Sequence, residues 1–340
     1  MIKICGDVSI TDGYFDVGFG LGSRIKAGFN PISNIHKGED FWIGNFEGVT
    51  SSNTSLTGAS ANQFRIDPND IGETLSLFDI MGVANNHVMQ HGDEAYKETC
   101  DILAKKGIDT FGESNQKTKL FKVGGREYSI TGFSQRIDQF SDNPLYWHNP
   151  EYSALKNEID GLPKDAFKIA YIHWGFEYIN RPSVKQKQFA HLLIDLGYDL
   201  IIGMHPHIMQ GFEVYKTKYI FYSLGNFTFD MPWEPTKYGA VVKLGENNGD
   251  VDISYDFVFI DSKLSTHIIE EDQVPDRYRF STLNQLIDIE DNGESYFHEV
   301  DYYYRKYRIA NHKDIFKKIM RHPTSSYYIL KDFINRRILK

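Results

Sequence analysis

Six short apolar runs in this chain each end in a polar cluster, and that repetition constrains the fold more than any other feature. The clusters are Cys5-Gly6-Asp7, Gly44-Asn45-Phe46-Glu47, Ala84-Asn85-Asn86-His87, His173-Trp174-Gly175-Phe176-Glu177, Gly203-Met204-His205-Pro206-His207 and Ser223-Leu224-Gly225-Asn226. The runs before them, 2–5, 41–43, 80–84, 169–172, 200–202 and 219–224, are too short for helices and read as buried strands. A sheet fixes the loops that leave its strand ends, so ligands gather there. Asp, Glu, Asn and His at such ends form the ligand set of a hard or borderline divalent cation.

Between residue 1 and about 260 strands alternate with helices. The helical expectations are 69–78 after Asp67-Pro68, then 92–106, 150–160 and 183–197, the last running from Ser183 to Gly197. After Gly211 the pattern turns to strands, at 212–215, 218–224, 238–244 and 251–259. Alternation followed by a strand-rich half predicts an α/β fold with two packed sheets and helices outside.

Charge divides the rest. Residues 262–300 hold nine acidic side chains against three basic, whereas 301–340 hold eleven Lys or Arg against three Asp. The expected organisation is a domain over 1–262, an acidic linker over 263–300 and a basic helical tail over 301–340. Amphipathic stripes place tail helices at about 311–321 and 325–339, separated by His322-Pro323-Thr324. Such a tail either docks on an anionic membrane face or acidic partner, or packs on the chain's own acidic body.

Cys5 and Cys100 cannot build a disulfide framework and suit a reducing compartment. Met1 leads straight into a strand without a signal-like apolar stretch, and no 18-residue apolar run occurs. The expected location is cytoplasmic, with the tail as a candidate peripheral contact at the inner face of the membrane. The acidic body argues against a nucleic-acid partner, which would need a basic track.

A two-metal hydrolase needs oxygen and imidazole ligands on each ion and preferably a bridging carboxylate. Asp7 suits a first ligand, and Glu47 has the reach to bridge. Asn86 offers a carbonyl oxygen, and His173, His205 and His207 offer neutral imidazoles. His205 and His207 are two apart, so an extended loop would send them to opposite sides: one to a metal, the other to a phosphate or second ion. Glu177, four residues after His173, is either a carboxylate orienting an imidazole, a substrate contact or a surface ion-pair member. Asn45, Gln210 and Asn226 are candidate substrate contacts. One or two divalent ions (Mn, Fe, Zn or Mg) are expected.

These motifs together resemble the CapA family of bacterial poly-γ-glutamate capsule synthesis proteins, a branch of the calcineurin-like metallophosphoesterases. The resemblance covers about 1–260 and rests on Gly6-Asp7, Asn45-Phe46-Glu47, Ala84-Asn85-Asn86-His87, His173 to Tyr178, Gly203 to His207 and Tyr222 to Phe227. It implies a four-layer α/β/β/α sandwich with the metal site at one end of the sheets. It also implies that His87 is a general acid or stabilises phosphoryl charge, consistent with imidazole chemistry. Three positions depart from the pattern. Ser9 replaces the His of Asp-x-His, Gln90 stands where the branch carries Asp, and Met204 where a polar residue is common. The implied functions are a hydrolase acting on a phosphorylated sugar, lipid-linked intermediate or capsule polymer, or a non-catalytic assembly component that binds an anionic polymer.

Overall fold

The computed structural model describes residues 1–12, 20–57, 61–289 and 293–321, with 308–321 given as backbone helix alone. In chain order the strands are β1 (Ile2–Val8), β2 (Phe41–Phe46), β3 (Val49–Thr50), β4 (Arg65–Ile66), β5 (Ile80–Gly82), β6 (Asp109–Phe111), β7 (Thr118–Val123) and β8 (Arg126–Ser134). They continue with β9 (Phe167–His173), β10 (Leu200–Met204), β11 (Met209–Tyr215), β12 (Lys218–Leu224), β13 (Asn226–Thr228), β14 (Tyr238–Asn247), β15 (Asp250–Ile260) and β16 (Thr266–Ile269). The helices are α1 (Leu21–Lys26), α2 (Asp93–Lys105), α3 (Tyr152–Asp160), α4 (Val184–Leu196), α5 (Phe280–Leu283) and α6 (Glu294–Arg321).

One sheet runs β16-β15-β14-β1-β2-β5-β6, with β13 also on β1; the second runs β11-β12-β10-β9-β8-β7. Period-two alternation makes each strand serve two layers. In β10, Leu200 and Ile202 face the core between the sheets, where they meet Ile4, Ile43 and Ile80 of the first sheet. Ile201 between them faces outward, onto Leu155 and Ile159 of α3 and Leu193 and Ile194 of α4. On the far side, Tyr96 and Leu103 of α2 and Leu21 and Ile25 of α1 cover Trp42 and Met81. The result is the expected four-layer α/β/β/α sandwich.

Local sequence explains the helix ends. Ser183 accepts a hydrogen bond from the Gln186 N–H in a capping box, and Gly197 closes α4 at φ 115°. The expected helix over 69–78 is instead a single 3-10 turn, Pro68–Asp70, followed by turns. Gly72 takes φ 56°, which no right-handed helix accommodates.

The segment 263–300 differs from the expected linker. β16 extends the first sheet antiparallel to β15, and Val274, Phe280 and Leu283 enter the core between the sheets. Its acidic residues Glu270, Glu271, Asp272 and Asp276 sit on the exposed positions between these anchors. Composition registered the wet face and overlooked the sparse apolar one.

The helix expected at 311–321 is the end of the longer α6, and 325–339 lies outside the described residues. Tyr303 and Tyr307 of α6 pack on a cluster of Phe64, Tyr178, Phe229, Met231, Trp233 and Ile260. Arg181 pairs with Glu299 at 2.9 Å. Among the described residues, no helix is long and apolar enough to cross a membrane.

Candidate metal centre

β1, β2 and β5 are parallel neighbours, as are β8, β9, β10 and β12, so their carboxyl ends deliver side chains to one edge of each sheet. Asp7 lies at the end of β1, Glu47 follows β2, and Asn86 and His87 follow β5. His173 ends β9, and His205 and His207 follow β10. A close approach holds the edge together: a Cβ on Gly6 would lie 2.0 Å from the Gly225 carbonyl oxygen. The Asp7 N–H donates to that same carbonyl at 3.1 Å.

The side chains form two groups. Glu47, His173 and His205 make one, and Asp7, Glu47 and His207 the other, each offering three ligand atoms within 4.8 Å of one another. Glu47 belongs to both. The Asn86 carbonyl oxygen stands 2.8 Å from His173 Nε2, which joins it to the first group. His205 and His207 fall in different groups, with ring centroids 5.8 Å apart, and their loop is not extended: their φ values are 96° and 58°. Such left-handed backbone costs about 1–3 kcal/mol per residue and persists where surrounding structure imposes it.

The donor atoms of the site fit a divalent cation. Both Glu47 oxygens and His205 Nε2 are buried without a hydrogen-bond partner among the described residues. His205 Nδ1 and His173 Nε2 stand 3.0 Å apart. Nitrogen and oxygen donors crowded together with buried lone pairs unmet are the arrangement a cation would satisfy.

Electrostatics agree. Burial lifts the Asp7 carboxyl to about 6, opposed by hydrogen bonds from Asn45 and the His205 N–H. Burial, then the charges of Asp7 and Glu177, hold Glu47 well above the usual carboxylate range. Burial also drives His173 and His205 well below the normal imidazole range and His207 to about 3. The imidazoles are therefore neutral, ready to ligate, while the carboxylates still compete with protons.

A pH dependence follows. A carboxyl raised in the folded state contributes stability at low pH that is lost as pH rises through its folded value. The metal-free protein thus loses the Asp7 contribution around pH 6, where a cation gains its ligand. We expect Mn²⁺ to raise the thermal midpoint more at pH 7.5 than at pH 5.5. Equal shifts at both would show that these carboxylates do not compete with the ion for protons.

The remaining expected site residues divide. Asn45 Nδ2 donates to Asp7 Oδ1 at 2.8 Å, steadying the carboxylate. Asn226 is buried, accepts from His207 Nδ1 at 3.0 Å and donates to the Thr236 carbonyl at 3.1 Å. It orients a histidine and does not sit at a substrate rim. Gln210 is likewise buried, donating to the carbonyls of Ile179 at 2.9 Å and Arg181 at 3.0 Å. It buttresses the loop after β9. Glu177 is in neither group, although its charge reaches Glu47. Ser9 bonds Thr11 at 2.9 Å instead of entering a group.

His87 lies apart from the ligands, with Nε2 3.8 Å from Glu47 Oε1. Its Nδ1 meets Gln90 Oε1 at 2.9 Å. The amide oxygen only accepts, so Nδ1 carries the hydrogen and Nε2 holds the lone pair. Phe64 stacks on the ring at 3.6 Å. Burial lowers His87 to about 4, with the Gln90 bond opposing.

Asn85 and Arg136 carry no assignment from the sequence. Asn85 shapes the turn: Oδ1 accepts from the N–H groups of His87 and Val88, and Nδ2 donates to the Phe46 carbonyl. Arg136 leaves the end of β8 beside His173, and the strand-end rule that finds the ligands could have found it.

The family model for the bacterial capsule synthesis protein PGA_cap matches residues 1–231. The chain belongs to this family. It is 31% identical over 241 residues to the PGA biosynthesis protein CapA of Bacillus subtilis, covering 63% of this chain and 60% of that one. It is also 31% identical over 237 residues to the capsule biosynthesis protein CapA of Bacillus anthracis, covering 63% and 56%. The matched region thus spans less than two thirds of these curated relatives. A solved 5'-nucleotidase precursor from Thermus thermophilus aligns with TM-score 0.42 and 12% identity, over 84% of this chain and 57% of that one.

Proposed function

We propose that this family member is a metal-dependent hydrolase of phosphoesterase type, working in bacterial capsule or surface-polysaccharide biosynthesis. The observation that carries the reading is the fully buried Glu47 shared by two three-residue groups. Asp7, Glu47 and His207 would hold one divalent ion; Glu47, His173 and His205, with Asn86 beside them, would hold a second. Of the ions expected, Zn and Fe suit the imidazoles, and Mn and Mg the carboxylate and carbonyl oxygens. A bound ion would polarise a phosphoryl oxygen and acidify water.

The chain's own residues supply the rest. Asn226 and Asn45 fix His207 and Asp7. Neutral His87 presents a lone pair at Nε2, suited to taking a proton; a phosphoryl anion beside it would raise its pKa and let it return that proton. Glu177 is the second candidate catalytic group, because its charge bears on Glu47. The substrate class we favour is a phosphorylated sugar or anionic polymer, not nucleic acid, with peripheral membrane contact assigned to the basic tail.

The competing reading is a capsule assembly component that binds an anionic polymer without turnover. Ser9 in place of a ligand and the uncharged Gln90 behind His87 favour it. Elemental analysis of protein purified without chelator, followed by assays on phosphomonoesters, phosphodiesters and γ-glutamyl amides, separates the two. We expect bound metal and metal-dependent phosphoester turnover. Metal without turnover on any substrate would favour the assembly role, and absence of metal would sink both.

A further inference from the structure

We propose that Arg136 is the anion-binding side chain of this site, its guanidinium holding the charged oxygens of the substrate beside His173 and His205. The assignment of those oxygens to a phosphoryl group rests on the hydrolase reading above. Ser134, the last residue of β8, is paired with His173 in β9. The Gln135 N–H then donates to the His173 carbonyl at 2.9 Å. Arg136 follows at once, its N–H on Ser134 Oγ at 3.1 Å and its carbonyl accepting from His148 Nε2 at 2.8 Å. The backbone that carries the guanidinium is therefore pinned to the strand carrying a candidate ligand.

The side chain is directed as well. Nη1 donates to the Gly175 carbonyl at 2.8 Å, and the guanidinium lies over the Phe176 ring at 5.4 Å. Both contacts are to the turn that follows His173. Its positive charge bears on His173, His205 and Glu177. Nε is buried with no hydrogen-bond partner among the described residues. An unmet donor on a half-buried cation is unfavourable unless something arrives to accept from it. A planar guanidinium suits phosphoryl oxygens especially, since it can meet two at once.

Other arginines near the site are engaged. Arg65 bonds the carbonyls of Ala61 and Ser51 and the Asn62 side chain. Arg181 pairs with Glu299. Arg136 combines an unmet donor with a charge that bears on the site, whose candidate ligands are carboxylates and neutral imidazoles. An anionic substrate approaching a site that holds the Asp7 and Glu47 carboxylates would need such a counter-charge.

The test uses the full chain loaded with Mn²⁺, titrated separately with inorganic phosphate and with a short γ-linked glutamate oligomer. Arg136→Ala should weaken phosphate binding about ten- to a hundredfold, the usual range for a charge-assisted hydrogen bond. Metal content should not change, and Arg136→Lys should restore part of the affinity. If Arg136→Ala does not fold, Arg136→Gln is read in its place. Weakened oligomer binding, in a protein that never binds phosphate, would keep Arg136 as the anion contact and overturn the phosphoester reading. Unchanged affinity for both anions at full metal content would overturn the assignment, as would failure of the wild-type chain to bind either. Absent turnover in a wild-type chain whose anion binding depends on Arg136 would count against hydrolysis alone.

Discussion

Replacing Glu47 with alanine is expected to strip at least one metal ion from the protein, and to abolish the stabilisation that added metal confers. Both three-residue groups lose a member through this single change, because Glu47 is common to them. No other substitution in the site has that reach: Asp7 and His207 belong to one group, His173 and His205 to the other. Without metal, Glu47 is a fully buried carboxyl with two unmet oxygens and Asp7 and Glu177 as neighbouring charges. Removing such a group relieves a desolvation cost. The metal-free Glu47→Gln protein should therefore melt no lower than the metal-free wild type, while its Mn²⁺-dependent rise in midpoint disappears. Elemental analysis and melts with and without Mn²⁺ read both effects. A full metal complement in Glu47→Ala would remove the bridging role.

Much of this site is legible in the sequence because parallel strands turn order along the chain into position along an edge. Asp7, Glu47 and Asn86 follow strands that lie side by side, so a rule about strand ends places them together without any knowledge of the fold. His173 and His205 obey the same rule in the second sheet. The rule gives location and not depth, and there it fails. It offers Asn226 and Gln210 as substrate contacts, yet both are fully enclosed and hold other groups in place. The pairing of β13 with β1 sets Asn226 opposite Asp7, where it meets His207 Nδ1. Arg136 has the required position but no signal of its own, since one arginine after Gly-Phe-Ser-Gln carries no motif. The acidic stretch 263–300 shows the limit of composition. A few apolar anchors suffice to bind a segment to a core, and they vanish in an average over the whole stretch.

Replacing His87 with alanine separates chemistry from metal binding. The ring is held by Gln90 on one side and Phe64 on its face, and its Nε2 stops 3.8 Å short of the shared carboxylate. Neither three-residue group contains it. Metal content should thus survive in His87→Ala, while turnover of a phosphoester falls by roughly two to four orders of magnitude, the usual worth of a positioned acid or base. The pH profile adds a second readout. Burial holds His87 at about 4, so the ring keeps its lone pair across the neutral range. The acid limb of wild-type turnover should then follow the competition of protons with metal for the buried carboxylates, Asp7 among them, and should persist in the residual activity of His87→Ala. Replacing Gln90 with Asp places a charge behind Nδ1 and should raise the His87 pKa, bringing its own limb toward neutrality. Joint loss of metal and turnover in His87→Ala would make the ring a ligand, and the division of labour within the site would have to be redrawn around it.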